Sequence, residues 1–313
     1  MPRSLNISCT DRVAIVIRGS RGIGKAISLH LASLGAKLVI NYSSNSTQAD
    51  LVVSEINSRS QSQQSESAIS VKADVSDPNQ VKYLFDAVES AFDSPIYIVV
   101  NAAGVMDATY SSISDSSVDE FDKIFVVNTR GAYLCCKEAA KRLKQGGGGR
   151  IICLTTSLVA ALRPGYGAYT ASKAAVEAMV KILAKELKGT KITANCVAPG
   201  PIATDLFFEG KTEEMVNKAV EAIPLWRLGR PDDVAPLVGF LASDAGEWVN
   251  GQIVRVNGGF AVWLARPGVS QGKSCTSSFA TVQGHNSNLR RAKPKIFEVG
   301  KKEYVVTDFS LKI

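Results

Sequence analysis

The amino-acid sequence predicts an α/β protein with a single doubly wound parallel sheet of about seven strands and helices on both faces. Two observations support this class. Short apolar segments alternate with longer helical patterns along the 313 residues, and the apolar segments are continuous runs, as expected for strands buried on both faces. The repeated strand–helix–strand order implies right-handed crossovers, which place helices on both sides of the sheet.

The predicted elements follow one another in a regular order. Strands are expected at 13–17, 36–42, 68–74, 96–104, 150–155, 192–198 and 252–256. Helices are expected at 22–34, 46–58, 78–92, 117–144, 168–188, 213–222 and 231–243. The polar, low-complexity segment 57–67 is typical of a solvated loop. Because ligands of such sheets bind beyond the carboxyl ends of the strands, the segments that follow the strands form the candidate site.

Composition and cysteine usage exclude several classes of protein. Apolar residues make up 45% of the chain, ample for a buried core, yet no apolar run is long enough to predict a transmembrane helix. The six cysteines are scattered without a CxxC pair, and the two histidines, His30 and His285, cannot assemble a metal site. The scattered thiols, and a lead before the first strand that is short for a targeting peptide, favour a cytoplasmic location.

The positive charge is concentrated in the last part of the chain. Residues 266–313 hold nine Lys/Arg and three Asp/Glu, so most of the net charge of +7 lies there and residues 1–265 are nearly neutral. We therefore predict a folded domain over 1–265 and a basic tail over 266–313 that is disordered or weakly structured, with a hairpin within 295–313. Nucleic-acid binding is suggested only by this tail and is not favoured.

Tyr169 and Lys173 are four residues apart in a segment that is helical throughout, so their side chains share one face. A positive charge beside a phenol favours the phenolate, whereas an unperturbed tyrosine titrates near about 10. The pair is thus a candidate proton donor and acceptor. Alone it is weak evidence, because such spacings also arise in ordinary surface helices.

A glycine-containing turn joins the first strand to the first helix. Gly22 and Gly24 open the helix directly after the strand, where glycines let phosphates approach the backbone and the amino end of the helix. The same spacing also suits an ordinary tight turn, so this motif alone is weak evidence as well.

Several short motifs follow the later strands in order. They are Asp74-Val75, Asn101-Ala-Ala-Gly104, Asn128, Thr155-Thr-Ser157, the Tyr169/Lys173 pair and Pro199-Gly-Pro-Ile-Ala-Thr204. Each is weak alone, whereas their joint occurrence over residues 10–261 is specific. Over that span the chain resembles the short-chain dehydrogenase/reductase family. The resemblance implies a Rossmann-type domain that binds a nicotinamide dinucleotide and transfers hydride between it and a carbonyl compound.

The resemblance also implies which residues contact the dinucleotide. Asp74 and Val75 would hold the adenine, and Ile202 and Thr204 would hold the nicotinamide amide. The full set of implied cofactor residues is Gly19, Ser20, Arg21, Gly22, Ile23, Gly24, Asn41, Ser43, Asp74, Val75, Asn101, Ala102, Gly104, Tyr169, Lys173, Pro199, Gly200, Ile202 and Thr204.

The implied catalytic residues are Tyr169, Lys173, Ser157 and Asn128. Tyr169 would protonate the carbonyl oxygen during reduction, and Lys173 would lower its pKa and bond the nicotinamide ribose. Ser157 would hold the same carbonyl oxygen, with Thr156 as the alternative because the spacing to the tyrosine does not separate the two. Asn128 would bend its helix and bind a water that links Lys173 to solvent.

The second strand and the glycine turn favour NADPH as the cofactor. An acidic residue at the end of that strand would repel a 2′-phosphate, and this chain has Asn41-Tyr-Ser43 there, while Arg21 is available to pair with a phosphate. The turn departs from the family pattern, because Ile17 and Arg18 stand where a threonine and the first glycine are expected. We therefore predict weakened NADPH binding.

The resemblance implies NADPH-dependent reduction of a carbonyl compound, a small aldehyde or ketone, by a homodimer or homotetramer. Two alternatives stay open. The chain is a cofactor-impaired binding or scaffold protein, because of Arg18, or a ketoreductase of the 3-oxoacyl reductase type. Segment 205–230 is expected to form a substrate lid, with Phe207, Phe208 and Trp226 as an apolar wall or as core and subunit contacts.

Overall fold

One seven-stranded parallel sheet organises the protein. The computed structural model describes residues 7–59, 67–262, 295–299 and 302–306. Its sheet strands are β1 (Val13–Ile17), β2 (Lys37–Tyr42), β3 (Ala68–Lys72), β4 (Ile96–Asn101), β5 (Arg150–Leu154), β6 (Thr193–Pro199) and β7 (Ile253–Val256). They lie in the order β3-β2-β1-β4-β5-β6-β7, so the direction of winding reverses between β1 and β4. The predicted doubly wound sheet is confirmed.

Helices cover both faces of the sheet. Within the described residues they are α1 (Gly22–Ser33), α2 (Ser46–Arg59), α3 (Pro78–Phe92), α4 (Val118–Phe125), α5 (Gly131–Arg142), α6 (Leu158–Ala161), α7 (Gly167–Glu186), α8 (Asp205–Phe208), α9 (Glu213–Glu221) and α10 (Pro231–Ala242). The short helices α6 and α8 were not predicted, because four residues are too few to show a helical period.

Each face of the sheet carries its own apolar core, because successive strand residues point to opposite sides. On one face Ile15 of β1 packs in a cluster with Phe85 of α3 and Val176 of α7. On the other face the next residue, Val16, packs in a cluster with Val238 of α10. Burial of each such side chain contributes roughly 1.5–3 kcal/mol. The two cores therefore hold the strand ends, and the loops that leave them, in place.

The helix predicted over 117–144 is interrupted. Ser117 caps its start by accepting hydrogen bonds from the backbone N–H groups of Asp119 and Glu120. The α-helical hydrogen bonding then changes to a π-helical turn over Val126–Arg130 before α5 begins. Such turns are commonly found at functional sites, and this one contains Asn128. The π-helical turn was not predicted from apolar periodicity, because one inserted residue shifts the spacing of the buried positions only once within a long helical pattern.

The C-terminal part of the chain contains two short strands. They are β8 (Lys295–Val299) and β9 (Lys302–Val306), which pair antiparallel as the predicted hairpin requires. Most of the predicted tail over 266–313 lies outside the described residues, and so does the predicted domain boundary after residue 265. The boundary and the disorder of the tail therefore stay predictions. Among the helices that the structure describes, none combines the length and apolarity needed to cross a membrane.

Candidate active site

A cleft opens at the carboxyl ends of β1, β4, β5 and β6, around the point where the strand order reverses. Crossovers that leave such a point on opposite faces create a crevice for ligands. The structure brings many of the predicted site residues to its lining, namely Arg21, Gly22, Ile23, Gly24, Ala102, Gly104, Tyr169, Lys173, Pro199, Gly200, Ile202 and Thr204. The pattern of strand ends therefore located the cleft.

Helix α7 presents Tyr169 and Lys173 to this cleft one turn apart, as their spacing predicts. The Lys173 Nζ donates hydrogen bonds to the backbone carbonyls of Ala103 and Leu154, each at 3.0 Å. These carbonyls lie at the carboxyl ends of β4 and β5, so the sheet itself holds the ammonium. Lys173 is 4% exposed, and its burial lowers its pKa to about 8.

The pKa of Tyr169 is raised rather than lowered. Burial raises it to about 12, while a hydrogen bond with Thr156 and the positive charge of Arg18 act in the opposite direction. The predicted lowering by Lys173 does not appear, because the phenol is withdrawn from water and the ammonium is committed to two carbonyls. A phenol with this pKa is fully protonated at neutral pH and is therefore available as a proton donor.

The two candidate hydroxyls at the end of β5 point to different surroundings. Thr156 lines the cleft and hydrogen-bonds Tyr169. Ser157 is fully buried, donates to the Ala198 carbonyl at 2.8 Å and accepts from the Asn257 side chain at 3.1 Å. The geometry therefore favours Thr156, the alternative, over Ser157 as the hydroxyl beside the tyrosine. Ser157 connects β5 to β6 and to the segment after β7.

Asn128 is buried, and the structure accounts for its contacts with protein groups. Its side chain accepts from the Val105 N–H at 2.8 Å and donates to the Val105 carbonyl at 2.9 Å and to the Ser172 hydroxyl at 3.0 Å. The predicted helix distortion is present as the π-helical turn. The side chain ties the segment after β4 to α7 and so helps to position Lys173 beside Gly104. The predicted water link stays a prediction.

The glycine turn brings backbone close to the amino end of α1. Gly22 has φ +52°, in the left-handed region that favours glycine, and a Cβ on Gly24 would lie 2.1 Å from the Arg18 carbonyl oxygen. The residue preceding the helix, Arg21, makes no side-chain capping bond, and the first turn holds no acidic residue. Backbone N–H groups at such an end suit an anion.

Arg18 crosses the cleft at the carboxyl end of β1. Its φ is +55°, a left-handed conformation that costs a residue with a Cβ on the order of 1 kcal/mol. Its guanidinium donates to the carbonyl of Gly104 after β4. Burial first, and then the charge of Arg21, lower the Arg18 pKa to about 10. Two arginines thus lie together where the glycine turn meets Tyr169 and Lys173.

Some predicted residues lie outside the cleft lining. Asn41 is buried and donates to the Val71 and Ala73 carbonyls, so its amide joins β2 to β3. The Asp74 carboxylate accepts from the backbone and hydroxyl of Ser76, which is a local turn. The predicted residues absent from the lining are Gly19, Ser20, Asn41, Ser43, Asp74, Val75, Asn101, Asn128 and Ser157. Their predicted contacts with a nucleotide or substrate stay predictions.

The mouth of the cleft contains residues that the sequence analysis did not assign. They include Met106, Leu158, Arg163, Tyr166, Glu209, Lys211 and Phe260. Of the predicted lid aromatics only Phe207 lines the cleft, whereas Phe208 and Trp226 are 46% and 70% exposed. Loop positions such as Lys211 carry no periodic signal, so only the folded chain reveals them. The described residues contain no group of three potential metal ligands.

Comparison with known proteins identifies the family. A family profile described as enoyl-(acyl carrier protein) reductase matches residues 17–261. A "NADPH-dependent aldehyde reductase-like protein, chloroplastic" from Arabidopsis thaliana is 62% identical over 253 residues, covering 80% of this chain and 94% of the relative. An Arabidopsis thaliana protein called "NADPH-dependent aldehyde reductase 2, chloroplastic" is 56% identical, covering 79% and 93%. The chain belongs to the short-chain dehydrogenase/reductase family.

A solved structure of this family supports the same assignment. The short-chain dehydrogenase from Burkholderia cenocepacia J2315 in complex with NADP is 33% identical, with a TM-score of 0.73, and the match covers 80% of this chain and 98% of that one. The chain is accordingly an oxidoreductase of the short-chain dehydrogenase/reductase family. The NADPH-dependent relatives and the NADP-bound neighbour confirm the predicted cofactor, NADPH or NADP.

The cleft residues fit that dinucleotide at the glycine turn, where the uncapped end of α1, the tight approach at Gly24 and Arg21 suit its phosphates. One side chain, that of Arg18, lies across the path between this turn and Tyr169.

The predicted cytoplasmic location is contradicted. Both Arabidopsis thaliana relatives are described as chloroplastic, which points to a plastid. Scattered cysteines indicate a reducing compartment, and the cytoplasm is only one such compartment. The five cysteines within the described residues are free and buried, as they would be in any reducing compartment, so they do not distinguish one such compartment from another.

Proposed function

We propose that this short-chain dehydrogenase/reductase reduces the carbonyl group of a small aldehyde to an alcohol with NADPH. The proposal rests above all on the protonated Tyr169 hydroxyl, which faces the cleft beside Thr156 at the strand-order reversal. The two chloroplastic relatives carry this activity in their names. Bound NADPH would supply the hydride.

The side chains have separate tasks in this proposal. Tyr169 gives its proton to the carbonyl oxygen as negative charge develops there, and the Thr156 hydroxyl donates a second hydrogen bond to the same oxygen. Lys173 is the cationic group one turn away, held by two carbonyls. Asn128 keeps the segment after β4 in register with α7, so it acts on the substrate only through its neighbours.

The protonation state of Tyr169 favours reduction over alcohol oxidation. With a pKa of about 12 the phenol holds its proton at neutral pH, which reduction requires. Oxidation needs the phenolate, whose population rises only as the pH approaches that value. We therefore expect the rate of alcohol oxidation to increase with pH over a range in which reduction does not.

The test is NADPH oxidation, followed by absorbance, with a panel of aldehydes and a Tyr169→Phe control that removes the proton and keeps the ring. We expect turnover by the native chain and a loss of roughly 10²–10⁴-fold in kcat for the variant, the usual contribution of a positioned acid. Native turnover that persists unchanged in Tyr169→Phe would refute the role of the tyrosine.

A second candidate is a cofactor-impaired member of the family that acts as a binding or scaffold protein. The observation in its favour is the Arg18 guanidinium, which donates to the Gly104 carbonyl across the cleft. Calorimetric titration with NADPH separates the two candidates, since an impaired protein would show no saturable binding. A 3-oxoacyl thioester belongs in the substrate panel, because the ketoreductase alternative predicts turnover of that compound in preference to aldehydes.

A homodimer or homotetramer stays the proposed assembly. The exposed side chains of Leu225, Trp226 and Trp248, which is 98% exposed, are apolar surface that an oligomer would cover. Light scattering of the purified protein measures the assembly directly.

A further inference from the structure

Lys211 lies at the mouth of the cleft in an unusual setting for a lysine. It lines the same cleft as Tyr169 and follows the short helix α8. Its Nζ donates to the Tyr110 hydroxyl and to the Phe207 carbonyl, each at 2.6 Å. The ammonium also lies 4.4 Å from the ring centroids of Tyr110 and Phe207. Two phenyl faces and a backbone carbonyl therefore surround a half-buried cation.

Within the described residues, this cation has no acidic side chain paired with it. No carboxylate of the described residues forms an ion pair with Lys211, and burial alone lowers its pKa to about 8. Glu209, which also lines the cleft, acts electrostatically on Arg18 and Tyr110. A partly desolvated charge without a partner is costly, so such groups are normally paired. An ammonium also has three donors, and protein groups occupy two of them here.

The surrounding lining is cationic and aromatic. Five cations line the cleft, namely Arg18, Arg21, Arg163, Lys173 and Lys211, against two carboxylates, Asp205 and Glu209. Arg18 and Arg21 lie at the glycine turn, where the dinucleotide phosphates are expected. Arg163 lies away from the glycine turn, on the loop between α6 and α7, 4.6 Å from the Phe260 ring centroid. Beyond the glycine turn, the cleft lining therefore combines aromatic rings with positive charge.

We propose that the cleft prefers carbonyl substrates that carry a carboxylate distant from the carbonyl group, and that Lys211 binds that carboxylate. This proposal rests on the proposed function and adds the chemical class of the substrate. The third donor of the ammonium would meet a carboxylate oxygen, which supplies a counter-charge, while the rings of Tyr166 and Phe207, which line the cleft, contact the body of the substrate.

Lys211 also has a structural role that the test must separate from binding. Tyr110 donates to the Glu209 carbonyl at 2.7 Å, so Lys211 and Tyr110 together join the loop after β4 to the segment after α8. A lysine that served only this connection would stabilise the protein without distinguishing charged from uncharged substrates. Substrate charge is therefore the variable that the experiment changes.

The experiment compares 4-formylbenzoate with its methyl ester, which has the same ring and aldehyde but no charge. Both are reduced with NADPH by the native chain and by Lys211→Met, Lys211→Arg and Lys218→Met. Lys218 is an exposed lysine of α9 paired with Glu214, so its variant matches the loss of one positive charge away from the cleft. For the native chain, kcat/KM should be higher for the acid than for the ester. In Lys211→Met, kcat/KM for the acid should fall about 10- to 100-fold because KM rises, while kcat/KM for the ester stays near the native value.

Lys211→Arg should retain most of the preference, and Lys218→Met should retain all of it. Equal kcat/KM for acid and ester in the native chain, or a preference that survives Lys211→Met, would overturn the proposal.

A second measurement keeps the proposal testable if neither aldehyde is turned over. Binding of 4-(hydroxymethyl)benzoate and of its methyl ester to the NADP-loaded protein is measured by calorimetry. Tighter binding of the acid that is lost in Lys211→Met supports the carboxylate site even where the proposed reduction fails. Equal binding of acid and ester refutes the site even where the reduction succeeds. A melting curve for each variant separates lost binding from lost folding.

Discussion

Each side of the cleft holds one lysine, and the two lysines are held differently. On the sheet side, Lys173 donates to the carbonyls of Ala103 and Leu154 at the strand ends. The other side consists of the loop after β4 and the segment after α8, and we name it the lid side after the role predicted for 205–230. There Lys211 donates to one carbonyl and to the hydroxyl of Tyr110, and it lies against aromatic rings. Burial lowers the pKa of both to about 8. Both lysines are thus withdrawn from water, Lys173 among two backbone carbonyls and Lys211 among one carbonyl, one hydroxyl and aromatic rings.

This difference separates a part of the site that is held by backbone groups from a part that is held mainly by side chains. Backbone carbonyls at strand ends are present whatever the neighbouring side chains are. The position of the Lys173 ammonium therefore depends mainly on the fold. The lid side depends on which residues occupy two loops, and a single substitution there changes the surface that meets the substrate. We therefore expect substitutions on the sheet side to change the rate of the proposed reaction and substitutions on the lid side to change the choice of substrate.

After Tyr169→Phe, the largest expected effect also lies on the sheet side, at the choice between the hydroxyls of Thr156 and Ser157. Thr156→Ala removes the hydroxyl that hydrogen-bonds Tyr169, and we expect kcat to fall by about 10²–10³-fold, as for other donors to a developing oxyanion. The measurement is NADPH oxidation at saturating aldehyde, where a loss of transition-state stabilisation appears in kcat.

Ser157→Ala is the matched control for that measurement. It leaves the Ala198 carbonyl and the Asn257 amide without their hydroxyl partner, so we expect a lower melting temperature from a loss of about 1–3 kcal/mol. Most of kcat should remain. The opposite outcome, a large loss of kcat in Ser157→Ala with Thr156→Ala close to native, would restore the serine to the role first predicted for it.

The sheet side of the site was largely predictable from sequence. Apolar runs located the strands, and the functional segments follow strand ends in every fold of this class. The spacing of Tyr169 and Lys173 placed them on one helix face, which the structure bears out. The choice between Thr156 and Ser157 was not predictable, because the two residues are adjacent in the short connection between β5 and α6. The conformation of that connection decides which hydroxyl lines the cleft.

The lid side was not predictable for a different physical reason. Lys211 and Tyr110 are separated by about a hundred residues in sequence and meet only because the segment after α8 folds over the loop after β4. Neither residue lies in a helix or strand, so no apolar periodicity in the sequence indicates where its side chain points. Of the aromatic residues predicted to form a wall in 205–230, Phe207 lines the cleft, whereas its neighbour Phe208 does not.

Arg18 provides the next test, with an intermediate expected effect. Arg18→Gly removes the guanidinium from the cleft and places glycine at φ +55°, where a Cβ is strained. We expect the dissociation constant of NADPH to fall about tenfold, on the order of 1.4 kcal/mol, together with a higher melting temperature. The single variant is preferable to an Ile17→Thr, Arg18→Gly double variant, because Ile17 is fully buried in the core.

Arg18→Ala separates the effect of the guanidinium on NADPH binding from the effect of the strained Cβ on stability. It removes the guanidinium but retains the strained Cβ, so it should match Arg18→Gly in NADPH affinity and fall below it in stability. Weaker NADPH binding in both variants would mean that Arg18 turns towards a phosphate and assists the cofactor, and equal affinities in all three proteins would refute any effect on binding. Either result would contradict the prediction of weakened binding in the native chain.

The smallest expected effect distinguishes two adjacent aromatic residues of the lid side. Phe207 lines the cleft and lies 4.4 Å from the Lys211 ammonium, whereas Phe208 is absent from the lining and 46% exposed. Phe207→Ala should therefore raise KM for 4-formylbenzoate by about two- to fivefold, the range of a cation–π contact of about 0.5–1 kcal/mol, with kcat little changed. Phe208→Ala is the control and should leave KM at the native value. If Phe208→Ala raised KM as much as Phe207→Ala, the segment would act as one apolar cover over the cleft, and the distinction between its two faces would be wrong.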